Sequence, residues 1–195
     1  STLSSRFSAL ATFHPCFPSA VKITRMTSSA ENPAAVNALA DAVDAGLPRA
    51  LADLGDLVRI PSVSWAAFDS AHVHRSAEAV TGLIEDLGVF DSVAISQAPI
   101  GDTQTLGQPA VLATRAARNG KPTIMLYAHH DVQPPGRDED WQSPPFEPTV
   151  RGDRLYGRGA ADDKAGVMAH IAAIRALVDT VDGDLELGLV LFFEG

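Results

Sequence analysis

Two short segments hold the residues whose types and spacing can do chemistry. At the end of an apolar run, Tyr127-Ala128 gives way to His129-His130-Asp131-Val132-Gln133-Pro134. Residues two apart in an extended chain share a face, so His129 and Asp131 point one way and His130 the other. A carboxylate beside a histidine can accept its second ring N–H, which fixes the tautomer and raises the basicity of the free nitrogen as a metal ligand. The second segment is Gly157-Arg158-Gly159-Ala160-Ala161-Asp162-Asp163-Lys164-Ala165-Gly166, a glycine-rich loop running into a helical pattern. Adjacent carboxylates at a helix start, with a His/Asp strand end upstream, fit a borderline or hard metal ion bridged by a carboxylate. Each segment also has a plainer reading: a polar turn after a strand for the first, and helix capping by an aspartate for the second. A Walker-type phosphate loop is excluded, because no Gly-Lys-Ser/Thr follows the glycines.

Other tempting residues fare worse. His72 and His74 are two apart near a helix start, which puts them on different helical faces and reads as solvated surface. His170 lies beside the apolar face of a helix and reads as a packed or half-exposed side chain. Ser62 and Ser64 have no Gly-x-Ser-x-Gly context, so a serine hydrolase gains no support.

The elements that must position these groups follow from periodicity. Residues 32–58 are Ala- and Leu-rich at helical spacing, with Leu47, Leu51, Leu54 and Val58 on one stripe; Gly46 and Pro48 predict a break into two pieces. A second helix is predicted around Ala77 to Leu87, with Val80, Leu83, Ile84 and Leu87 facing inward and Gly88 as its C-terminal cap. Short strands are predicted at Val93–Ser96 and Ala110–Thr114, then a turn at Asn119-Gly120. The continuous apolar run from Thr123 to Ala128 reads as a buried strand. A proline-rich loop follows, with a turn at Gly152-Asp153, a helix from Asp163 to Asp179 and a strand from Leu185 to Phe193. This order predicts an α/β layered domain, a mixed β-sheet flanked by helices, with its chemistry at strand ends.

The 195 residues suffice for one domain or part of a larger one. Hydrophobic residues make up 46% and charged ones 20%, the profile of a globular protein. A net charge of -9 without a basic stripe argues against nucleic-acid binding. No apolar run reaches the roughly 18 residues of a membrane span. Arg6, Lys22 and Arg25 lie in a segment, 1–25, that has no acidic residue and holds the sole cysteine, Cys16. That segment reads as a leader, either non-native upstream sequence or a targeting-like peptide, expected to be disordered. Residues 26–195 then form the domain proper.

Together the two segments resemble the two-zinc metallopeptidases that include carnosinase-like dipeptidases, carboxypeptidase G, acetylornithine deacetylase, succinyl-diaminopimelate desuccinylase and aminoacylase. His129 to Pro134 match the family's His-x-Asp-Val-x-Pro. Gly157 to Lys164 match its Gly-Arg-Gly-x-x-Asp-x-Lys, with Ala165 where glycine is usual. Trp141, Pro145-Phe146, Tyr156 and Ile60-Pro61-Ser62-Val63-Ser64 also fit, and the wording around Val132-Gln133-Pro134 looks most like the dipeptidase branch. The resemblance implies that His129 ligates one metal, that Asp162 bridges two zinc ions (or manganese or cobalt), and that Asp131 is the catalytic-site carboxylate orienting His129. It also implies a cis peptide between Asp162 and Asp163, a small peptide substrate, a homodimer and a cytoplasmic enzyme. The alternatives are an N-acyl amino acid deacylase or desuccinylase, or a non-catalytic remnant of the fold.

Phe193-Glu194-Gly195 resembles the lead-in to the family's general base, with Glu194 before the base and not itself the base. Read this way, the chain is an N-terminal fragment with uncovered sheet edges and apolar faces. The 195-residue chain alone is therefore expected to be inactive; zinc-dependent hydrolysis of a dipeptide by the purified chain would overturn that expectation.

Overall fold

A computed structural model describes residues 33–181 and 185–195. The leader assigned to residues 1–25 lies outside them. The described chain runs α1 (Pro33–Val58), α2 (Ala71–Glu85), β1 (Ser92–Ser96), β2 (Ala110–Arg115), β3 (Thr123–His129), β4 (Thr149–Arg151), β5 (Arg154–Tyr156), α3 (Lys164–Thr180) and β6 (Gly188–Glu194). A single 3-10 turn, Asp138–Asp140, interrupts the proline-rich loop.

Four strands form a mixed sheet in the order β1-β2-β6-β3, antiparallel except for the parallel pair of β3 and β6. Val111, Ala113, Ala128, Leu191 and Phe193 project from its buried face onto Val80 and Ile84 of α2 and Val167 and Ile171 of α3. Helix α1 packs chiefly on α3, where Arg175 donates to Asp53 at 3.1 Å. The predicted α/β architecture is therefore the one observed.

Three details depart from the sequence expectation. Helix α1 continues through Gly46 and Pro48 instead of breaking there. A proline in a helix loses one hydrogen bond and crowds the preceding turn. The packing of Ala50, Leu54, Leu57 and Val58 beyond it offsets that loss, while Leu47 and Leu51, assigned to the inner stripe, stay exposed. Helix α2 starts at Ala71, several residues earlier than its apolar stripe suggested. Strand β3 is not buried: among the described residues it is an edge strand, with Met125 62% and Tyr127 50% exposed. Its apolar run has α3 against one face only among the described residues. The β4–β5 hairpin was legible only as its turn, Gly152-Asp153.

Parallel pairing carries β3 and β6 in one direction, bringing His129 level with Glu194 at the same sheet end. The loop that enters α3 reaches that end because it packs very closely. A Cβ on Gly157 would stand 2.7 Å from Val58 Cγ1, and one on Gly159 would stand 2.6 Å from Val132 Cγ1. Gly159 also has φ +85, whereas Gly88 has φ +66 with open space around it. Gly88→Ala should thus cost only the left-handed penalty, about 1 kcal/mol. Gly159→Ala adds a steric clash and should cost about 2–4 kcal/mol. Urea unfolding of the two variants reads the difference; equal losses would contradict the packing argument.

Candidate metal centre

His129 closes β3 with its ring held from both sides. Its Nδ1 lies 2.9 Å from Asp131 Oδ1 and 3.2 Å from the Asp131 carbonyl. Its Nε2 lies 3.2 Å from Asp162 Oδ1. Burial works against the charged imidazole, but the Asp131 charge and the hydrogen bonds from Asp131 and Asp162 outweigh it and raise the His129 pKa above the ordinary value. Asp131 is mostly covered, at 16% side-chain exposure, while Asp162 is 81% exposed. The structure thus brings together all three residues singled out from the sequence. Among the described residues no group of three or more His, Cys, Asp or Glu side chains has the arrangement to enclose a metal ion.

His130 faces the other way, as alternation predicts. It is fully buried, with Nε2 2.9 Å from the Pro109 carbonyl, and burial pushes its pKa down to about 4. Its carbonyl accepts from two hydroxyls, Ser62 at 2.8 Å and Ser76 at 3.1 Å. His74 is exposed, but His72 is partly covered and its Nδ1 has no partner among the described residues, so only His74 fits the solvated-surface reading. His170 stacks on Phe193 and meets the Tyr127 carbonyl at 3.1 Å, a packing role.

Sequence reasoning did not anticipate the supporting contacts of three groups. Asp163 turns back, its Oδ2 accepting the His129 backbone N–H at 3.2 Å. A side chain on Gly166 would overlap that carboxylate. The Asp162–Asp163 peptide is cis, as the resemblance implied. Lys164 is fully buried, its Nζ donating to the Leu57 and Ile60 carbonyls at 2.7 Å each. It thereby ties the loop to the C-terminal end of α1, and burial lowers its pKa to about 7. The signal for it was an ammonium in an otherwise apolar helix face. Ser64, set aside as a nucleophile, donates its hydroxyl proton to Asp131 Oδ2.

Trp141 donates Nε1–H to the Pro135 carbonyl at 2.8 Å, and its ring carries the Arg158 guanidinium at 5.4 Å. The Arg158 N–H donates to the Pro145 carbonyl at 2.6 Å. These contacts fasten the proline-rich loop to the glycine-rich one.

A mixed sheet with a His/Asp strand end facing an aspartate at a helix start defines an α/β domain whose candidate site lies at a strand end. Residues 125–192 match the model of peptidase family M20/M25/M40. The chain is 42% identical over 119 residues to a succinyl-diaminopimelate desuccinylase of Aromatoleum aromaticum, covering 60% of this chain and 30% of that protein. It is 30% identical over 165 residues to the Cys-Gly metallodipeptidase DUG1 of Candida albicans, covering 80% of this chain and 33% of the relative. The crystal structure of human carnosine dipeptidase 1 superposes with a TM-score of 0.70 at 26% identity, over 82% of this chain and 34% of that one. The chain therefore spans about a third of the length of these relatives. No helix among the described residues is long and apolar enough to cross a membrane.

Two hydroxyls on one carbonyl make a redundant tether. Either Ser62→Ala or Ser76→Ala alone should cost about 1 kcal/mol, because the other donor remains. The double variant should cost more than the two single losses together, since the buried His130 carbonyl then loses both side-chain donors. A double-mutant cycle by urea unfolding checks this; simple additivity would contradict it.

Proposed function

We propose that the chain supplies part of a zinc-dependent peptidase site, with His129 and Asp162 as metal ligands and Asp131 as the carboxylate orienting His129. One observation carries the reading. A neutral imidazole has a single N–H; Nδ1 of His129 has two acceptors, the nearer at 2.9 Å, against one at 3.2 Å for Nε2, so Nδ1 is the better-supported place for the proton. Nε2 is then a lone pair aimed at a carboxylate oxygen, which is repulsive unless a second proton or a cation lies between them. The raised pKa is the protonic answer of the metal-free chain, and a bound cation is the other.

An imidazole nitrogen and a carboxylate oxygen are two of the donor types zinc takes. Two ligands each about 2.0–2.1 Å from a tetrahedral ion stand about 3.3 Å apart, close to the 3.2 Å between Nε2 and Oδ1. The exposure of Asp162 leaves its second oxygen open, as a bridge to another ion requires. A metal pair supplies Lewis acidity toward a scissile carbonyl and toward water. The chain's own residues hold and orient: Asp131 keeps the Nδ1 proton, Asp163 fixes the His129 backbone, and Lys164 anchors the loop that carries Asp162.

For the whole protein the proposed reaction is hydrolysis of a dipeptide or similar small amide. The match to a Cys-Gly metallodipeptidase over 80% of the chain supports it. Desuccinylation of an N-acyl amino acid is the second reading, supported by the higher identity, 42%, to a desuccinylase. A homodimeric cytoplasmic enzyme acting on small peptides goes with the first reading on the strength of the family resemblance.

Zinc competition against a chromophoric chelator tests the ligand assignment on the 195-residue chain. The chain should bind zinc, and His129→Ala and Asp162→Asn should each weaken binding by about 10-fold or more. Absence of binding, or binding indifferent to both substitutions, would overturn the site.

A further inference from the structure

The Asp131 carboxylate spends one oxygen on His129 and the other on a serine. Oδ1 lies 2.9 Å from His129 Nδ1, and Oδ2 accepts the Ser64 hydroxyl. A carboxylate gripped at one oxygen alone can rotate about its terminal torsion, which has broad minima. Gripped at both, it keeps one plane and holds Oδ1 against Nδ1, the contact that favours the proton on that nitrogen.

The hydroxyl is delivered by backbone tethers. Ser64 lies in the connection between α1 and α2, which runs beside the residues that follow β3. The Val132 N–H donates to the Ser62 carbonyl at 2.9 Å, and Val63 and Val132 form an isolated parallel bridge. The Ser62 hydroxyl reaches the His130 carbonyl at 2.8 Å. On the outer side, Gln108 Nε2 donates to the Ser64 carbonyl at 3.3 Å. Ser64 Oγ therefore meets Asp131 with little freedom of its own.

We infer that Ser64 is a positioning residue: its hydroxyl locks the Asp131 carboxylate so that His129 keeps its proton on Nδ1 and presents Nε2 toward Asp162. The inference rests on the zinc-site reading for its purpose, but the Ser64–Asp131–His129 relay can be read without metal.

The experiment uses the 15N-labelled 195-residue chain without metal, with the His129 tautomer read from long-range proton–nitrogen spectra at a pH above the ring's titration. Ser64→Thr and Ser64→Val share a shape and differ only in the hydroxyl, so packing is matched between them. Ser64→Thr should keep the single Nδ1–H pattern of the unsubstituted chain. Ser64→Val should give an averaged mixture of tautomers and, with zinc added, roughly 10-fold weaker binding. Ser62→Ala loosens the same connection and should leave the tautomer alone. Identical spectra for the Thr and Val variants, or an equal change in Ser62→Ala, would overturn the inference. If the unsubstituted chain binds no zinc while the tautomer still follows the hydroxyl, the zinc reading fails and the role of Ser64 stands.

Discussion

A neutral imidazole has one proton to give, and the site is built around where His129 gives it. Asp131 takes the Nδ1 side, which leaves Nε2 and Asp162 facing each other across 3.2 Å. Two acceptors at that distance form a site that a positive charge completes. The remaining contacts serve to keep the three groups in that relation.

Close approach of backbone achieves this more than side-chain packing does. Gly157 and Gly159 admit Val58 and Val132 into space a Cβ would fill, so the loop bearing Asp162 lies against both α1 and the segment after β3. Lys164 then reaches through the interior to the carbonyls at the end of α1. An ammonium buried without a carboxylate partner among the described residues is tolerated because carbonyl oxygens solvate it, and its lowered pKa reflects the remaining desolvation cost. His130, adjacent in sequence to His129, is pressed into the core and held neutral by the same pleat that turns its neighbour outward.

Much of this was legible in the residues. Alternation separated His129 and Asp131 from His130, and helical spacing found α2 and α3. Where the reading failed, local propensity and tertiary packing pulled in opposite directions. Pro48 marks a break by propensity, but the buried face of α1 extends past it onto α3. The apolar run of β3 implied two covered faces, yet β3 stands at a sheet edge with Met125 and Tyr127 largely uncovered.

By itself the sequence determined the side-chain types of the candidate site, their order and the strand and helix ends that bear them, because residue type and period are local properties. It also carried the paired motifs by which the chain resembles the metallopeptidases. Only the tertiary structure decided that Ser64 grips Asp131, that Asp163 turns back to His129 and that Lys164 anchors α1. Those contacts join residues up to 107 positions apart. No periodicity encodes such a pairing; it arises when the sheet end, the connection between α1 and α2 and the glycine-rich loop are packed together.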